Sequence, residues 1–491
     1  AKRTRDGSLK VSSSTPMPLL GVPISIKDCF AQQGADCTIG ISCRCFKPSV
    51  VDGLQVKLLR EAGAIPFVRS NVPQLLMMPE SENRIWGAAC NPWDVTRTPG
   101  GSSGGEGSLI ASQCSVMGLG SDIGGSIRIP AHYCGICGFK PTPNRVTHNG
   151  SAVGKYKNRN GQAIIIPTAG PMARSVRDMS VMMEVLTGPK ASIEDPLTPP
   201  LGWNTSMVKH GPRVKTKPKK LRIAMMVSDG WCEPVPAVKR AVLEAAEVLR
   251  KAGHEIIEFK NPISTEKLVQ TFFRLQAADG NWYSYMRALE GEDLHDSYKL
   301  LRFYTDIPNI LRPFIAFALE TFGGEYRKSA LMQAGKDGGL STREYWETIA
   351  DMKEMVQAYV ESFKENDFDA LLMPTLPIAA PEHGMASDLI GCLSYTFLAN
   401  ILHWPAGTVP ITLVRENETK YDVDELPCYE RDSIAVLMSK TTRKSAGLPI
   451  GVQIMTPMWK DELCMHILSI IEKGVKFNKT PPKYTPKTKG E

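Results

Sequence analysis

Residues 99–130 read PGGSSGGEGSLIASQCSVMGLGSDIGGSIRIP, and the rest of the chain is best understood outward from this stretch. Glycine and serine dominate it, but short apolar patches and the charged pair Asp122 and Arg128 distinguish it from a flexible linker. Glycine reaches backbone conformations that are closed to other residues and lets amide N–H groups approach a ligand. The turn 122–126 therefore predicts a cluster of N–H groups that faces the Ser126 hydroxyl, an arrangement that suits acyl transfer.

Ser126 needs a base, because a serine hydroxyl cannot attack an amide at neutral pH without losing its proton. Of the eight histidines, only His132 and His148 lie near this stretch, and neither has an evident acidic partner. Lys27 ends an apolar run and is the alternative base. Lowering a lysine pKa from about 10.4 toward 7 costs about 4–5 kcal/mol, within the range known for buried lysines. A second serine would bridge the two groups, and the residues alone do not separate Ser102 from its neighbour.

Composition excludes several classes of function. The chain has 491 residues, 42% of them apolar, a net charge of +7 and twelve cysteines. Its basic runs at 209–222 and 473–489 carry no known nucleic-acid-binding fingerprint, which favours solvated linkers over a nucleic-acid partner. The scattered cysteines indicate reduced thiols and no metal site. No dinucleotide fingerprint and no run of 18 apolar residues is present, so we expect no cofactor and no membrane-spanning segment.

Hydrophobic patterning alternates between strand and helix along the chain. A strand at 22–26 is followed by a helix at 52–62 and a strand at 64–69, and the order strand, helix, strand recurs over 221–259. Further strands and helices are expected at 107–113 (helix), 370–373 (strand), 394–401 (helix), 406–414 (strand), 448–456 (strand) and 459–471 (helix). This order predicts the α/β class, with a mixed, twisted central sheet covered by helices on both faces. The apolar, proline-broken segment 307–319 fits either a buried helix hairpin or a surface cap.

The glycine-rich stretch resembles the amidase signature family. Gly100-Gly-Ser-Ser-Gly-Gly and Gly118-Leu-Gly-Ser-Asp-Ile-Gly-Gly-Ser-Ile-Arg-Ile-Pro carry the resemblance. Further matching pieces stand in the family's order, from the run that ends in Lys27 to Gly447-Leu-Pro-Ile-Gly-Val-Gln. The resemblance implies one amidase domain over 1–491. Its parts are a signature core at about 21–190, a basic linker at about 208–222, a helical hydrophobic cap at about 280–335, and a sheet and helix completion at about 365–472.

The family resemblance also implies a Ser-Ser-Lys triad. In it Lys27 is the base and later the proton donor, Ser102 relays protons, and Ser126 attacks and becomes acylated. The resemblance further implies an oxyanion hole made by the backbone N–H groups of Ile123, Gly124, Gly125 and Ser126. Ser103, Asp122 and Arg128 are expected to support the site. A GxSxG motif centred on Ser103 satisfies the α/β-hydrolase pattern as well, but it lacks the preceding strand that this fold requires.

Gly104-Gly-Glu-Gly-Ser-Leu-Ile and Asn71-Val-Pro-Gln74 narrow the resemblance within the family. On these residues the chain resembles the branch of fatty acid amide hydrolases. The expected substrate is therefore a lipid amide of the N-acylethanolamine or primary-amide type, held by the following candidates: Leu76, Met77, Met78, Thr396 and Phe397. The resemblance also implies a homodimer and an intracellular, membrane-associated protein that meets the membrane through 307–319, with an N-terminal anchor absent from this chain. An amidotransferase A-type subunit and a short-chain amidase of the same family are the alternatives.

Overall fold

The computed structural model of this chain describes residues 2–3, 9–10, 17–154, 161–214, 217–280 and 283–482. In chain order its strands are β1 Lys2–Arg3, β2 Leu9–Lys10, β3 Pro23–Lys27, β4 Ile65–Ser70, β5 Glu82–Asn83, β6 Gly87–Ala88, β7 Met117–Asp122, β8 Cys137–Lys140, β9 Thr168–Ala173, β10 Arg213–Val214, β11 Lys217–Pro218, β12 Arg222–Met225, β13 Glu255–Glu258, β14 Ala370–Pro374, β15 Ala406–Leu413 and β16 Pro449–Met455.

Its α-helices, in the same order, are α1 Leu54–Glu61, α2 Gly104–Ala111, α3 Arg128–Cys134, α4 Val176–Leu186, α5 Pro189–Glu194, α6 Thr205–His210, α7 Pro236–Lys251, α8 Thr265–Gln276, α9 Tyr283–Ala288, α10 Lys299–Asp306, α11 Arg312–Thr321, α12 Tyr326–Ala334, α13 Thr342–Glu365, α14 Ser394–Ile401, α15 Ser433–Thr442 and α16 Asp461–Val475.

One ten-stranded sheet organises these elements, in the order β13-β12-β14-β16-β15-β8-β9-β7-β3-β4. The strand pairs at both ends of the sheet are parallel. In the middle of the sheet, each strand pairs antiparallel with its neighbour, in the order β14-β16-β15-β8-β9-β7. Helices flank the sheet, and α7 and α16 pack against it and against each other. The predicted α/β class with a mixed sheet is confirmed.

The parallel pairing of β3 with β7 determines where the site forms. Ser25 pairs with Gly118, and Ile26 pairs with Leu119. Because parallel strands end at the same edge of a sheet, Lys27 at the end of β3 lies beside Ser121 near the end of β7. The chain then turns through 123–127 into α3, so the glycine-rich turn also stands at this edge.

The predicted helix at 107–113 begins earlier than expected, since α2 starts at Gly104, directly after the serine pair. Three glycines lower the helix propensity of this segment, and tertiary contacts override that preference. The basic segment 208–222 holds the end of α6 and the antiparallel pair of β10 with β11. Residues 215–216 within it lie outside the described part of the chain.

The segment 307–319 forms a turn followed by α11, and several of its large apolar side chains face outward. Ile310 is 76% exposed, Phe314 is 71% exposed and Phe317 is 61% exposed. Of the two forms expected for this segment, the buried helix hairpin is wrong for these three side chains. They lie on the surface, as expected for a surface cap. In the portion of the chain that the structure describes, no helix has the length and apolar character to cross a membrane.

Candidate active site

Lys27 is fully buried at the end of β3, and its amine contacts two serines. The Lys27 Nζ donates to Ser102 Oγ at 2.7 Å and to Ser121 Oγ at 2.9 Å. Burial lowers the pKa of Lys27 from its usual 10.5 to about 8, against the opposing attraction of Asp122 and Glu106. Only the neutral amine can accept a proton, and a pKa near 8 makes that form substantial at mildly alkaline pH.

The two serines of the expected relay line one cavity with each other. Ser102 follows a cis Gly101–Ser102 peptide bond, and Ser126 is 9% exposed in the turn before α3. The backbone N–H of Ser103 donates to the Ser126 carbonyl at 3.1 Å, which holds the two segments together. The Ser103 hydroxyl donates to the Ser121 carbonyl at 3.2 Å, a contact that supports the site.

A buried ion pair supports the turn that carries Ser126. The Arg128 guanidinium contacts the Asp122 carboxylate through two nitrogens, at 2.9 and 3.1 Å, and neither side chain is exposed. Burial alone would raise the pKa of Asp122, but Arg128 holds it well below its usual range. Asp122 also accepts the backbone N–H of Gly125 at 2.8 Å. That N–H is therefore directed into the turn, which differs from its expected place in an oxyanion hole.

Glycine is required at this turn because neighbouring side chains pack directly against it. Gly125 has φ of +128°, and a Cβ there would lie 2.5 Å from Thr396 Oγ1. A Cβ on Gly124 would lie 2.9 Å from the Phe272 ring. Phe272 stacks on Phe397 with ring centroids 3.9 Å apart. Any larger residue would displace the turn or these aromatic side chains.

A second acidic group lies close to the lysine, on α2. Glu106 is fully buried, and its Oε2 accepts a hydrogen bond from the Ser25 hydroxyl. A Cβ on Gly118 would lie 1.7 Å from that oxygen, so only glycine at 118 admits the carboxyl. Burial raises the pKa of Glu106 to about 7, while Ser25 and Lys27 oppose this rise.

Three cavities follow one another from Ser126 to the cap. The first cavity, of about 70 Å³, is lined by both polar and apolar groups, among them Ser102, Ser121, Ser126, His148 and Gln276. The second cavity shares Ser126 with the first and is lined largely by apolar side chains, among them Met77, Met78, Phe272, Phe273 and Phe397. The third cavity shares Met78 and Phe273 with the second and continues between Leu300, Leu301, Tyr304 and Leu331.

The five candidates for substrate contact divide into two groups. Leu76, Met77, Met78 and Phe397 line the second cavity. Thr396 is completely buried, and its hydroxyl donates to the Gly124 carbonyl at 2.7 Å, so it supports the Ser126 turn from behind.

Sequence reasoning missed several residues of this site. Ser121 and Glu106 lie inside the stretch 99–130, but the order of residues alone does not indicate that they lie close to Lys27. The sequence suggests His148 only as a possible base, and Gln276 lies at the end of α8, far along the chain. Among the described residues, no cluster of histidine, cysteine, aspartate or glutamate is suited to holding a metal ion.

Comparison with known proteins places the chain in a family. The family described as Amidase matches residues 2–465. The chain is 33% identical over 472 residues to Fatty acid amide hydrolase 1 of Caenorhabditis elegans, across 96% of the chain and 79% of that protein. It is also 33% identical over 463 residues to Fatty-acid amide hydrolase 1 of Sus scrofa, across 93% of the chain and 76% of that protein.

The fold comparison agrees with the sequence comparison. A solved structure of a fatty acid amide hydrolase matches with a TM-score of 0.77 at 25% identity, over 93% of this chain and 73% of that one. The expected family and the expected fold are thereby confirmed. The chain belongs to the amidase signature family and is an amide hydrolase.

Proposed function

We propose that this enzyme hydrolyses fatty acid amides through an acyl-enzyme at Ser126. The observation that carries the proposal is the 2.7 Å contact between the buried amine of Lys27 and the hydroxyl of Ser102, inside a cavity that Ser126 also lines. A lysine whose pKa lies near 8 is substantially neutral at mildly alkaline pH, as a general base must be.

In the proposed mechanism, Lys27 removes a proton from Ser102 as Ser102 removes the proton of Ser126. The Ser126 oxygen attacks the amide carbonyl, and the backbone N–H groups of Ile123, Gly124 and Ser126 stabilise the oxyanion that forms. The leaving amine takes its proton from Ser102, which is reprotonated by Lys27. Water then attacks the acyl-enzyme by the same route, releasing the fatty acid and restoring the serine.

The second and third cavities support a long acyl chain as the substrate's apolar part. Their walls are largely methionine, leucine and phenylalanine, and unbranched methionine side chains adapt to flexible chains. The exposed apolar side chains of α11 lie on the same cap whose α10 and α12 line the third cavity. We therefore extend the proposal to a cap that meets a lipid surface, and to the homodimer that the family resemblance implies.

The test is a panel of amides that differ only in acyl length, with glutamine as the substrate of the amidotransferase alternative. Long-chain amides are expected to give the highest kcat/KM, and a fluorophosphonate probe is expected to label Ser126. The Ser126→Ala variant must lose both the labelling and the turnover. Preference for acetamide-sized substrates or for glutamine would contradict the proposal, as would labelling at Ser103.

A further inference from the structure

Two neighbouring leucines in the wall of the Ser126 cavities hold a strained backbone. Leu75 has φ of +61° and Leu76 has φ of +66°, in the left-handed region that residues other than glycine rarely occupy. Leu75 lines the first cavity, and Leu76 lines both the first and the second. Such a backbone persists only where the surrounding structure holds it, and it is concentrated at functional sites. The contacts that hold this turn are therefore part of how the cavity is built.

Gln74, the residue directly before these leucines, binds one distant segment through both ends of its side-chain amide. The side chain is fully buried. Its Nε2 donates to Glu292 Oε1 at 2.7 Å and to the Asp293 carbonyl at 3.1 Å, and its Oε1 accepts the backbone N–H of His295 at 2.8 Å. All three partners lie between α9 and α10, in residues 292–298, which we call the cap linker. Two donors and one acceptor are what a glutamine amide supplies, and an apolar side chain supplies neither.

The cap linker also binds the backbone of the turn, through a single phenol. The hydroxyl of the buried Tyr298 donates to the Gln74 carbonyl and accepts the backbone N–H of Met77 at 3.3 Å. It therefore bridges the two ends of the strained turn. The backbone N–H of Leu75 donates to the Ile39 carbonyl at 2.9 Å. The turn is thus fixed by the main core around Ile39 and by the cap linker together.

The cap linker continues directly into the helical cap. Tyr298 is followed at once by α10, whose Leu300, Leu301 and Tyr304 line the third cavity. Side chains of α10, α11 and α12 share a small apolar cluster that is separate from the main core. A shift of these three helices therefore moves the cap linker, and with it the partners of Gln74.

We propose that Gln74 is a positioning residue that couples the position of the cap to the wall of the Ser126 cavities. The inference rests on the proposed function, since it takes the apolar cavities to hold the acyl chain. With the cap in place, the linker keeps Leu75 and Leu76 left-handed, and Leu76 and Met77 form the wall beside Ser126. When the linker moves away, the turn relaxes toward a right-handed backbone and this wall is lost. Gln74 acts through the three residues that follow it.

The first test compares two amides of one amine, a long-chain amide and a butyramide. The short acyl group stays beside Ser126, whereas the long one extends into the second and third cavities. The readout is the ratio of their kcat/KM values per active site, with sites counted by fluorophosphonate labelling. Gln74→Leu keeps the size of the side chain but removes its hydrogen bonds, and we expect the long-to-short ratio to fall about tenfold, mainly through kcat. Tyr298→Phe removes one oxygen and should lower the ratio about threefold.

The second test measures the coupling from the other end, because a coupling between two sites is reciprocal. Labelling Ser126 with a long-chain fluorophosphonate should slow hydrogen exchange of the backbone amides of 292–298 in the wild-type chain. In Gln74→Leu the same label should slow this exchange much less. Equal slowing in the two proteins would contradict the coupling.

The controls are Gln357→Leu, at an exposed position of α13, and Tyr429→Phe, at an exposed position before α15, and both should keep the wild-type ratio. A merely structural role would reduce the number of labelled sites and leave the ratio per site unchanged. That result in both Gln74→Leu and Tyr298→Phe would overturn the inference and leave the proposed function standing. Tyr298→Phe keeps the test decisive if Gln74→Leu does not fold. A wild-type enzyme that hydrolyses only the short amide would remove the proposed function and this inference together.

Discussion

The Ser126 turn and the helical cap differ in the kind of side chain that each exposes to solvent. Around the turn, charged groups are removed from water completely, and Asp122 and Arg128 each meet several partners. On the cap, large apolar side chains such as Phe314 and Phe317 are left in contact with solvent. Burying charged groups and exposing large apolar side chains both cost free energy unless other contacts offset the cost. Within the turn the compensation is internal, whereas on the cap we propose that a lipid surface supplies it.

The largest expected effect comes from removing the base. Lys27→Met keeps the volume of the side chain but has no amine to accept a proton, so kcat/KM for a long-chain amide should fall by roughly 10²- to 10⁴-fold. Steady-state kinetics measure the loss, and circular dichroism should show an unchanged fold. Lys353→Met, at an exposed position of α13, is the control. Near-normal turnover by Lys27→Met would refute the triad.

The second-largest expected effect comes from removing the buried ion pair that stabilises the Ser126 turn. Arg128→Met leaves the Asp122 carboxylate buried without its cation, so the free energy of unfolding should fall by about 3–5 kcal/mol. Denaturant unfolding measures this change. Arg250→Met removes an exposed arginine of α7 and should alter stability by no more than about 0.5 kcal/mol. Equal effects of the two substitutions would contradict the role given to the buried pair.

Substitutions of the exposed side chains on the cap are expected to change membrane affinity and to have little effect on the free energy of unfolding. Phe314→Ser and Phe317→Ser together should weaken binding to phosphatidylcholine vesicles by at least about tenfold, because each ring withdraws apolar area from water on insertion. Vesicle co-sedimentation measures the binding. Trp346→Ser is matched for exposure, at 69%, but lies on α13, and it should leave vesicle binding unchanged. Equal loss in both proteins would place the lipid contact elsewhere.

The smallest expected effect is a shift of the pH profile. Because Lys27 acts in its neutral form, kcat/KM should rise with pH and level off above an apparent pKa of about 8. The Glu106 carboxylate raises the pKa of Lys27, so Glu106→Gln should move this limb to lower pH. Glu361→Gln, on the exposed face of α13, should not move it. A shift to higher pH would show that the sign of this coupling is wrong.

Local signals were sufficient for much of the fold. The helix predicted inside the strand, helix, strand unit 221–259 is α7. Pro236 begins it and it ends at Lys251, because proline suits a first turn and Gly253 follows the end. The bounds of α14 also agree with the prediction. The 24-residue helix α13 was not predicted, although Ser341 and Glu344 form a capping box at its start. That signal is local and was available in the sequence.

The remaining features of the site depend on contacts that no local pattern carries. Sequence indicates a buried lysine at 27, but the partner of its amine depends on the register of β3 against β7. Gln276 is an ordinary residue at the end of an amphipathic helix until α8 packs beside the Ser126 turn. Its place in the wall of the Ser126 cavity becomes visible only when the whole cavity is assembled.

The contacts of Arg128 carry a consequence for biosynthesis. Its guanidinium binds the Thr396 carbonyl at 2.9 Å, Asn400 Oδ1 at 2.7 Å and Gln453 Oε1 at 3.2 Å, all supplied by the last quarter of the chain. During translation these three anchors leave the ribosome long after Arg128 itself. The surroundings of Arg128 are therefore complete only after β16 has been synthesised and has folded against α3.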